Sequence, residues 1–257
     1  MVMPISYGFD RDSLDPDLPD DCDRPNPLAS LRELAAPLEW LSSFRRAPIL
    51  LGAPKGDQQP VLTIPGYLTG DASMAPLNRF LRFVNYRVYS SGIGLNRGKV
   101  DADVQRIGER VMSVRQKTGE PVTVIGWSLG GVLARELARL YEDDVRGVIT
   151  LGTPIIGGPK YTSVGDLYAR AEQLDLDEFE REVHRRNSLG LKQPVTSIFT
   201  KSDGIVGWKA SIDIYNEQAK NICVESTHLG LGLNPRVWRI IADVLAGRET
   251  QVPTEPI

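Results

Sequence analysis

The sequence predicts an α/β fold in which a mostly parallel β-sheet is covered by helices on both faces. Short β-branched apolar runs alternate with longer segments whose apolar residues recur at helical spacing, a pattern typical of parallel sheets with crossover helices. The length of 257 residues suits one such domain, and 41% hydrophobic with 25% charged residues is a globular composition.

Six segments have the pattern of buried strands: Val61–Ile64, Tyr86–Tyr89, Val122–Ile125, Val145–Leu151, 195–200 and 220–225. Helical periodicity fills most of the intervals, near 74–84, 101–119, 129–142 and 235–247. The last helix is predicted to begin after Asn234-Pro235, a cap followed by proline, and to end at Gly247. We therefore place the domain at residues 28–247.

The two ends of the chain differ from this domain. Residues 1–27 are predicted to form an acidic, solvated arm, because seven aspartates and only two arginines occur in the first 24 positions. Residues 248–257 form a C-terminal tail. Leucines at helical spacing predict a helix over 28–44 that Pro37 kinks or divides. We expect its apolar stripe to pack on the domain, with contact to a membrane surface as the alternative; the stripe consists of Leu28, Leu31, Leu34, Leu38 and Leu41.

One long segment, 160–193, interrupts the alternation of strands and helices. It is polar and helical, and it lies between two predicted strands where a single crossover helix would suffice. Its apolar residues form an interrupted set: Leu167, Ala171, Leu174, Phe179 and Val183. We interpret the segment as a helical cap or lid over a site, and the alternative is an enlarged surface crossover.

Composition and spacing argue against several classes of protein. A net charge of −3 without a dense Lys/Arg stripe argues against nucleic-acid binding. No Cys/His spacing of a metal site occurs, and Gly92-Ile93-Gly94 lacks the third glycine of a dinucleotide fingerprint, so no metal or cofactor is predicted. No signal peptide or membrane-spanning stretch is visible, so we expect a cytoplasmic location. The spacing of Cys22 and Cys223 does not show whether they pair.

Residues 126–131 have the sequence GWSLGG, which contains the pattern G-x-S-x-G. The strand before it and the helix formers after it predict the strand–turn–helix context of a nucleophile elbow. Glycine at 126 and 130 lets the chain turn sharply and leaves the hydroxyl of Ser128 exposed. An ordinary β–α turn with a capping serine is the alternative interpretation.

A serine hydroxyl needs a base to accept its proton, and the chain has only two histidines. His184 lies in a charged helical stretch inside the predicted cap, where we expect a solvated surface residue. His228 lies directly after a predicted strand and before the last helix, which is where the histidine of a serine–histidine–carboxylate triad lies in this kind of fold. We therefore predict His228 as the base.

The orienting carboxylate is expected between the serine and the histidine in chain order, at the end of a strand. Asp203 meets both conditions, since it follows the strand at 195–200 and precedes a glycine. Asp213 lies farther from that strand end, and Glu225 falls within a predicted strand. A turn aspartate in a Ser-Asp-Gly loop is the alternative interpretation of Asp203.

Acyl transfer requires backbone N–H donors for a tetrahedral oxyanion, and two are predicted here. One is the N–H of Leu129, the residue after the predicted nucleophile. The other is the N–H of Tyr67, in the Pro-Gly-Tyr loop after the first predicted strand, where Gly66 would allow close approach of the backbone. The alternative interpretation of that loop is a simple Pro-Gly turn.

These motifs together resemble bacterial lipase- and esterase-like members of the α/β-hydrolase superfamily over roughly residues 50–247. The stretches that carry the resemblance are PGY at 65–67, GWSLGG at 126–131, LGTP at 151–154, SDGIV at 202–206 and HLG at 228–230. The resemblance implies an α/β-hydrolase fold with a cap and a serine-mediated acyl-enzyme mechanism that needs no cofactor.

On these grounds we expect a carboxylic-ester hydrolase acting on small-molecule esters of short to medium chain length, an esterase with lipase action left open. The residues expected to line an apolar substrate pocket are Trp127, Ile205, Val206 and Trp208, with Tyr67 beside them. Acyltransferase, thioesterase and amidase chemistry use the same triad and remain open, as does a non-catalytic binding protein of the same fold. Contact with a membrane or lipid surface is not expected.

Overall fold

Six parallel strands form one sheet with the order β2-β1-β3-β4-β5-β6 in a computed structural model that describes residues 22–35 and 47–250. The strands are β1 Pro60–Ile64, β2 Arg87–Ser90, β3 Val122–Trp127, β4 Val145–Leu151, β5 Val195–Phe199 and β6 Lys220–Cys223. All six lie within two residues of the segments that the sequence predicts, and the predicted α/β class is confirmed.

The described α-helices are α1 Pro27–Arg32, α2 Ala75–Phe83, α3 Val100–Thr118, α4 Leu129–Leu140, α5 Gly165–Glu172, α6 Leu176–Asn187, α7 His228–Leu231 and α8 Pro235–Leu245. Short 3-10 turns lie at Glu33–Ala35, Ala47–Leu50, Asp71–Met74, Gly158–Tyr161 and Trp208–Ser211. Among the described residues, no helix is long and apolar enough to cross a membrane.

Both faces of the sheet are covered, because alternate strand residues pack against different helices. On one face, Val61, Ile125 and Ile198 pack with α2 and α8. On the other face, Leu62 and Val124 pack with α3 and α4. Strands β1, β3 and β5 are buried along their whole length, as is typical of parallel strands that are covered on both faces of the sheet.

The carboxyl ends of the parallel strands bring the predicted site residues to one edge of the sheet. Strand β3 lies between β1 and β4, with Ile64 opposite Gly126 and Trp127 opposite Leu151. The loops that follow these strands therefore begin side by side. The loops after β5 and β6 reach the same edge, because those strands continue the sheet beyond β4.

The N-terminal segment differs from the prediction in how it packs. The predicted helix over 28–44 is helical at Pro27–Arg32 and continues as a 3-10 turn, while Leu38 and Leu41 lie outside the described residues, as do residues 1–21 of the acidic arm. Leu28, Leu31 and Leu34 are exposed, so the expectation that they pack on the domain is wrong. Polar contacts dock this segment instead: the Ser30 hydroxyl donates to the carbonyl of Gly204 at 2.7 Å.

The predicted cap, 160–193, contains α5 and α6. Inside it, the carboxylate of Glu180 is buried and accepts from the hydroxyl of Tyr161 and from the Lys160 ammonium. His184, expected to be a solvated surface residue, is instead buried, and its Nδ1 lies 2.8 Å from the hydroxyl of Tyr215. Its ring also packs edge-on against the Tyr215 ring, at 5.3 Å between centroids, so Tyr215 covers it and makes a polar contact with it at the same time.

The two cysteines are both buried, and no disulfide joins them. Cys22 packs in a small apolar cluster with Ile156, Val206 and Ala210, so the end of the N-terminal arm is anchored beside the loop after β5. Cys223 ends β6.

A buried ion pair ties α4 to the chain between β5 and β6. Arg135 Nη1 lies 2.5 Å from Asp213 Oδ2, and the side chains are 2% and 0% exposed. Asp213 also accepts from Tyr215 N at 3.0 Å and from Asn216 Nδ2 at 2.7 Å, which satisfies the rest of the carboxylate. Removing one partner of such a pair leaves the other charge buried without compensation.

We predict that Asp213→Ala lowers the free energy of unfolding by about 3–5 kcal/mol, because Arg135 would remain buried without its counter-charge. Urea denaturation measures this loss. Glu120→Ala, which breaks the exposed pair with Arg146, is the control and should cost no more than about 1 kcal/mol. Equal losses in the two variants would contradict the structural role of the buried pair.

Candidate active site

Ser128 lies in a very tight turn between β3 and α4. Its backbone has φ 53° and ψ −123°, a left-handed conformation that few non-glycine residues adopt. A Cβ at Gly126 would lie 2.1 Å from the carbonyl oxygen of Gly130, and one at Gly130 would lie 2.4 Å from that of Ile64. Only glycine fits at these two positions, so G-x-S-x-G is a steric requirement of this turn.

Thr153, in the LGTP stretch after β4, fixes the turn from the neighbouring strand. Its hydroxyl donates to the carbonyl of Ser128 at 2.9 Å, while the N–H of Ser128 donates to the carbonyl of Leu151 at 2.8 Å. A Cβ at Gly131 would lie 2.0 Å from the Thr153 hydroxyl, so the third glycine of the motif makes room for it. Both backbone polar groups of Ser128 are thus held by the β4 loop.

His228 and Asp203 form a buried pair. The Nδ1–H of His228 donates to Oδ2 of Asp203 at 2.7 Å, and the side chains are 3% and 1% exposed. The second carboxylate oxygen of Asp203 accepts from the N–H groups of Ile205 and Val206 at 2.9 and 2.7 Å. The carboxylate is therefore held in one orientation by its own loop, and it holds the imidazole in turn.

The environment of His228 raises its pKa above the ordinary histidine value. Burial lowers the pKa, because it disfavours the charged imidazolium. The charge of Asp203 and its hydrogen bond raise the pKa, the charge of Glu33 raises it further, and together these effects outweigh burial. The free base of His228 is therefore formed at a higher pH than in an isolated histidine.

Gly152 lets the chain pass directly beside this pair. It has φ +53°, and a Cβ there would lie 3.0 Å from Nδ1 of His228 and 3.1 Å from Oδ2 of Asp203. A side chain at this position would be strained and would contact the hydrogen bond between the two residues.

The rival carboxylates occupy other environments. Asp213 is paired with Arg135, as described above, and Glu225 pairs with Arg236 at 3.4 Å on the surface. Neither contacts His228, whereas Asp203 does.

The two predicted oxyanion donors line the same cavity as Ser128. Leu129 is the first residue of α4, where a backbone N–H has no acceptor within the helix. Among the described residues, the N–H groups of Tyr67 and Leu129 have no protein acceptor. A Cβ at Gly66 would lie 3.3 Å from Cβ of Ser128, so the loop after β1 passes close to the predicted nucleophile.

A cavity of about 710 Å³ contains Ser128 and His228 on its wall. Trp127, Ile205 and Val206 line it, as expected for pocket residues. Trp208 is not among the lining residues, so that expectation is wrong: its ring stacks on Phe199 at 6.1 Å between centroids, away from the cavity. The predicted cap contributes much of the apolar wall, through Val164, Leu167, Leu174, Phe179 and Val183.

Sequence reasoning missed three groups that hold this site together. Thr153 and Gly152 were noted only as parts of the LGTP stretch that carries a resemblance, without a role of their own. Glu33 is the third: its buried carboxylate accepts from backbone N–H groups of the Asp203 and His228 loops. Nothing in the local sequence of Glu33 indicates such a role.

We predict that His228 titrates above pH 6.5, the ordinary value, and that Asp203→Asn lowers its pKa. NMR of protein labelled with [¹⁵N]histidine measures both, because the chain has only two histidines. A pKa raised in the folded state means that the stabilisation is fully present below about pH 6.5 and is lost as the pH rises through the folded value. A wild-type pKa at or below 6.5 would contradict the structure.

Comparisons with known proteins agree with this architecture. A family model described as "Thioesterase domain" matches residues 109–201, which include the elbow, α4, β4 and β5. No curated protein matches the chain by sequence. Among solved structures, the chain is similar to a lipase from Bacillus licheniformis in mature form, with TM-score 0.57 and 14% identity over 76% of this chain and 94% of that chain.

Two further solved structures show the same likeness. A lipase-esterase related protein from Clostridium acetobutylicum has TM-score 0.52 and 17% identity over 76% of this chain and 97% of that one. The mouse alpha/beta hydrolase domain-containing protein 10 has TM-score 0.52 and 18% identity over 75% and 90%. The chain therefore has the fold of the α/β-hydrolase superfamily, as its sequence predicted.

Proposed function

We propose that this protein is a serine hydrolase that cleaves short- to medium-chain carboxylic esters through an acyl-enzyme intermediate. One observation carries the proposal: Ser128, on a positive-φ elbow, lines the same cavity as His228, whose ring is held by Asp203 at 2.7 Å. A serine on such a turn and an oriented imidazole, both on the wall of one cavity, are the two groups that acyl transfer requires.

In the proposed mechanism, Ser128 Oγ attacks the acyl carbonyl while Nε2 of His228 accepts its proton. The Asp203 carboxylate stabilises the imidazolium that forms and keeps the ring oriented. The N–H groups of Tyr67 and Leu129 donate to the oxyanion of the tetrahedral intermediate. His228 then protonates the leaving alcohol, and water repeats the sequence on the acyl-enzyme, which releases the acid and restores Ser128.

The cavity supports an acyl group as the substrate portion that binds there. Its volume of about 710 Å³ falls in the range of small-molecule sites. The segment 160–193 contributes apolar side chains to the cavity wall together with the charged Glu172, Glu182 and Arg186, and we propose that it acts as the cap that selects acyl-chain length. Polar donors lie at the sheet edge, so the ester would lie there with its chain toward the cap.

Thioester hydrolysis is the second candidate, because the thioesterase-domain family model matches residues 109–201. The proposed mechanism is the same for both substrates, since only the leaving atom differs. Acyltransferase and amidase chemistry would use the same residues. In each case the reaction is carried by side chains and backbone groups, with a small molecule as substrate.

We predict that the protein hydrolyses p-nitrophenyl esters of two to twelve carbons, with the highest kcat/KM at short or medium length. Ser128→Ala should lower kcat by at least about 10³-fold, because the nucleophile is lost. Ser73→Ala, which removes a hydroxyl that donates to the carbonyl of Gly70, is the matched control and should keep full activity. Full turnover by Ser128→Ala would refute the proposal. Thioesters of the same acyl groups, assayed alongside, decide between the two substrate classes.

We predict that Gly152→Ala lowers kcat by about 10- to 100-fold with a smaller effect on KM, because the methyl group would displace His228 from Asp203. Gly119→Ala is the control: Gly119 also has a positive φ, +76°, but a methyl group there would contact nothing within 4 Å. Both variants should lose about 1 kcal/mol of stability from backbone strain, measured by urea denaturation. Equal kcat values for Gly152→Ala and Gly119→Ala would contradict the prediction, because they would show that a methyl group beside His228 and Asp203 does not affect the reaction.

A further inference from the structure

Glu33 lies far from the proposed catalytic residues in the chain but beside them in the fold. It begins the 3-10 turn after α1, and only 9% of the residue is exposed. The proposed mechanism does not use it. A buried carboxylate without a role in the reaction requires a physical reason, because taking the charge out of water costs free energy unless donors compensate.

Three backbone N–H groups offset the cost of burying the Glu33 carboxylate. Oε1 of Glu33 accepts from the N–H of Gly204 at 3.0 Å and from that of His228 at 2.8 Å, and Oε2 accepts from the N–H of Leu229 at 2.9 Å. Hydrogen bonds to an ionised acceptor are stronger than neutral ones. We call Glu33 with these three N–H groups the Glu33 clamp.

The clamp joins the two loops that carry the acid–base pair. Gly204 directly follows Asp203, and His228 and Leu229 begin α7. Strands β5 and β6 pair with each other only up to Phe199 and Cys223, so the sheet does not bind these loops together where they approach the site. The buried N–H groups of these loops need acceptors, and one carboxylate supplies them for both.

The N-terminal segment around Glu33 makes further contacts with the Asp203 loop and with α5. The Ser30 hydroxyl donates to the carbonyl of Gly204 at 2.7 Å, so the N-terminal segment binds both the N–H and the C=O of that residue. A Cβ at Gly204 would lie 2.4 Å from the carbonyl oxygen of Ala29, so glycine there allows the close approach. Arg24 adds a bidentate contact to Asp166 in α5, at 2.7 Å for each bond.

We infer that Glu33 is a positioning residue for the acid–base pair: its carboxylate holds the Asp203 loop and the His228 loop at the separation that their hydrogen bond requires. This inference rests on the proposed function, in which that hydrogen bond orients the base. Glu33 contacts no reacting atom, and it acts through the backbone of the two loops.

The direct test is Glu33→Gln, which keeps the size of the side chain but replaces one acceptor oxygen with an NH₂ donor facing a backbone N–H. We expect kcat for p-nitrophenyl esters to fall about 10- to 100-fold, with KM within about twofold, because the pair moves while the pocket stays. Glu225→Gln is the matched control, since Glu225 is exposed, lies three residues before His228 and contacts only Arg236 through its carboxylate. It should keep wild-type kcat.

A second measurement does not depend on turnover. Asp203 and Glu33 are the charged groups that act on the His228 ring, and both favour its protonated form. Loss of the Glu33 charge should therefore lower the pKa of His228, followed by NMR of [¹⁵N]histidine, while Glu225→Gln leaves it unchanged. A purely structural role for Glu33 would lower Tm without moving this pKa. If the wild-type protein cleaves no ester, the proposed function fails, and the titration still decides whether Glu33 acts on His228.

Glu33→Asp keeps the charge and shortens the reach by one methylene, and it carries the test if Glu33→Gln does not fold. We expect its kcat to lie between those of wild type and Glu33→Gln, with the pKa of His228 closer to wild type. A folded Glu33→Gln or Glu33→Asp with wild-type kcat and a wild-type His228 titration would overturn the inference.

Discussion

The turn between β3 and α4 brings three backbone segments closer together than any Cβ allows. A side chain at Gly126 would meet the Gly130 carbonyl, and one at Gly130 would meet the end of β1. Because the turn is so tight, Ser128 takes a positive φ and the first turn of α4 lines the cavity together with the loop after β1. The positions of the proposed nucleophile and of both proposed oxyanion donors depend on this contact.

Buried carboxylates organise the rest of the carboxyl edge. Asp203 orients His228, Glu33 binds the two loops that carry this pair, and Asp213 neutralises Arg135. Each of them accepts at least three hydrogen bonds, so the cost of burying the charge is offset locally. Asp203 and Asp213 are each held by two donors from their own loop, whereas all three donors of Glu33 come from distant parts of the chain, so the geometry of the site depends on the whole fold.

The cavity has two walls of different origin. The strand ends supply Ser128, His228 and the backbone donors, and strands β1 and β3, which lead to Tyr67 and Ser128, are buried along their whole length. The other wall comes from α5 and α6, which lie outside the sheet and attach to α4 through polar contacts such as Arg139 with Asn187. In the proposed function, residues at the sheet edge carry out the reaction, and the helical segment 160–193 selects the acyl chain. This segment lies outside the sheet, so its sequence can vary without disturbing the sheet.

The sequence alone determined the α/β class, the six strands and the elbow, because each depends on local periodicity or on glycine at fixed offsets from Ser128. The sequence also indicated the order of Ser128, Asp203 and His228 and their common location, since each follows a strand and parallel strands end at one edge of the sheet. Only the tertiary structure decided that His184 is buried, that Trp208 does not line the cavity and that Glu33 binds the loops that carry Asp203 and His228. These features depend on contacts between residues up to 196 positions apart, and a carboxylate that binds backbone N–H groups leaves no pattern in the side chains of its partners.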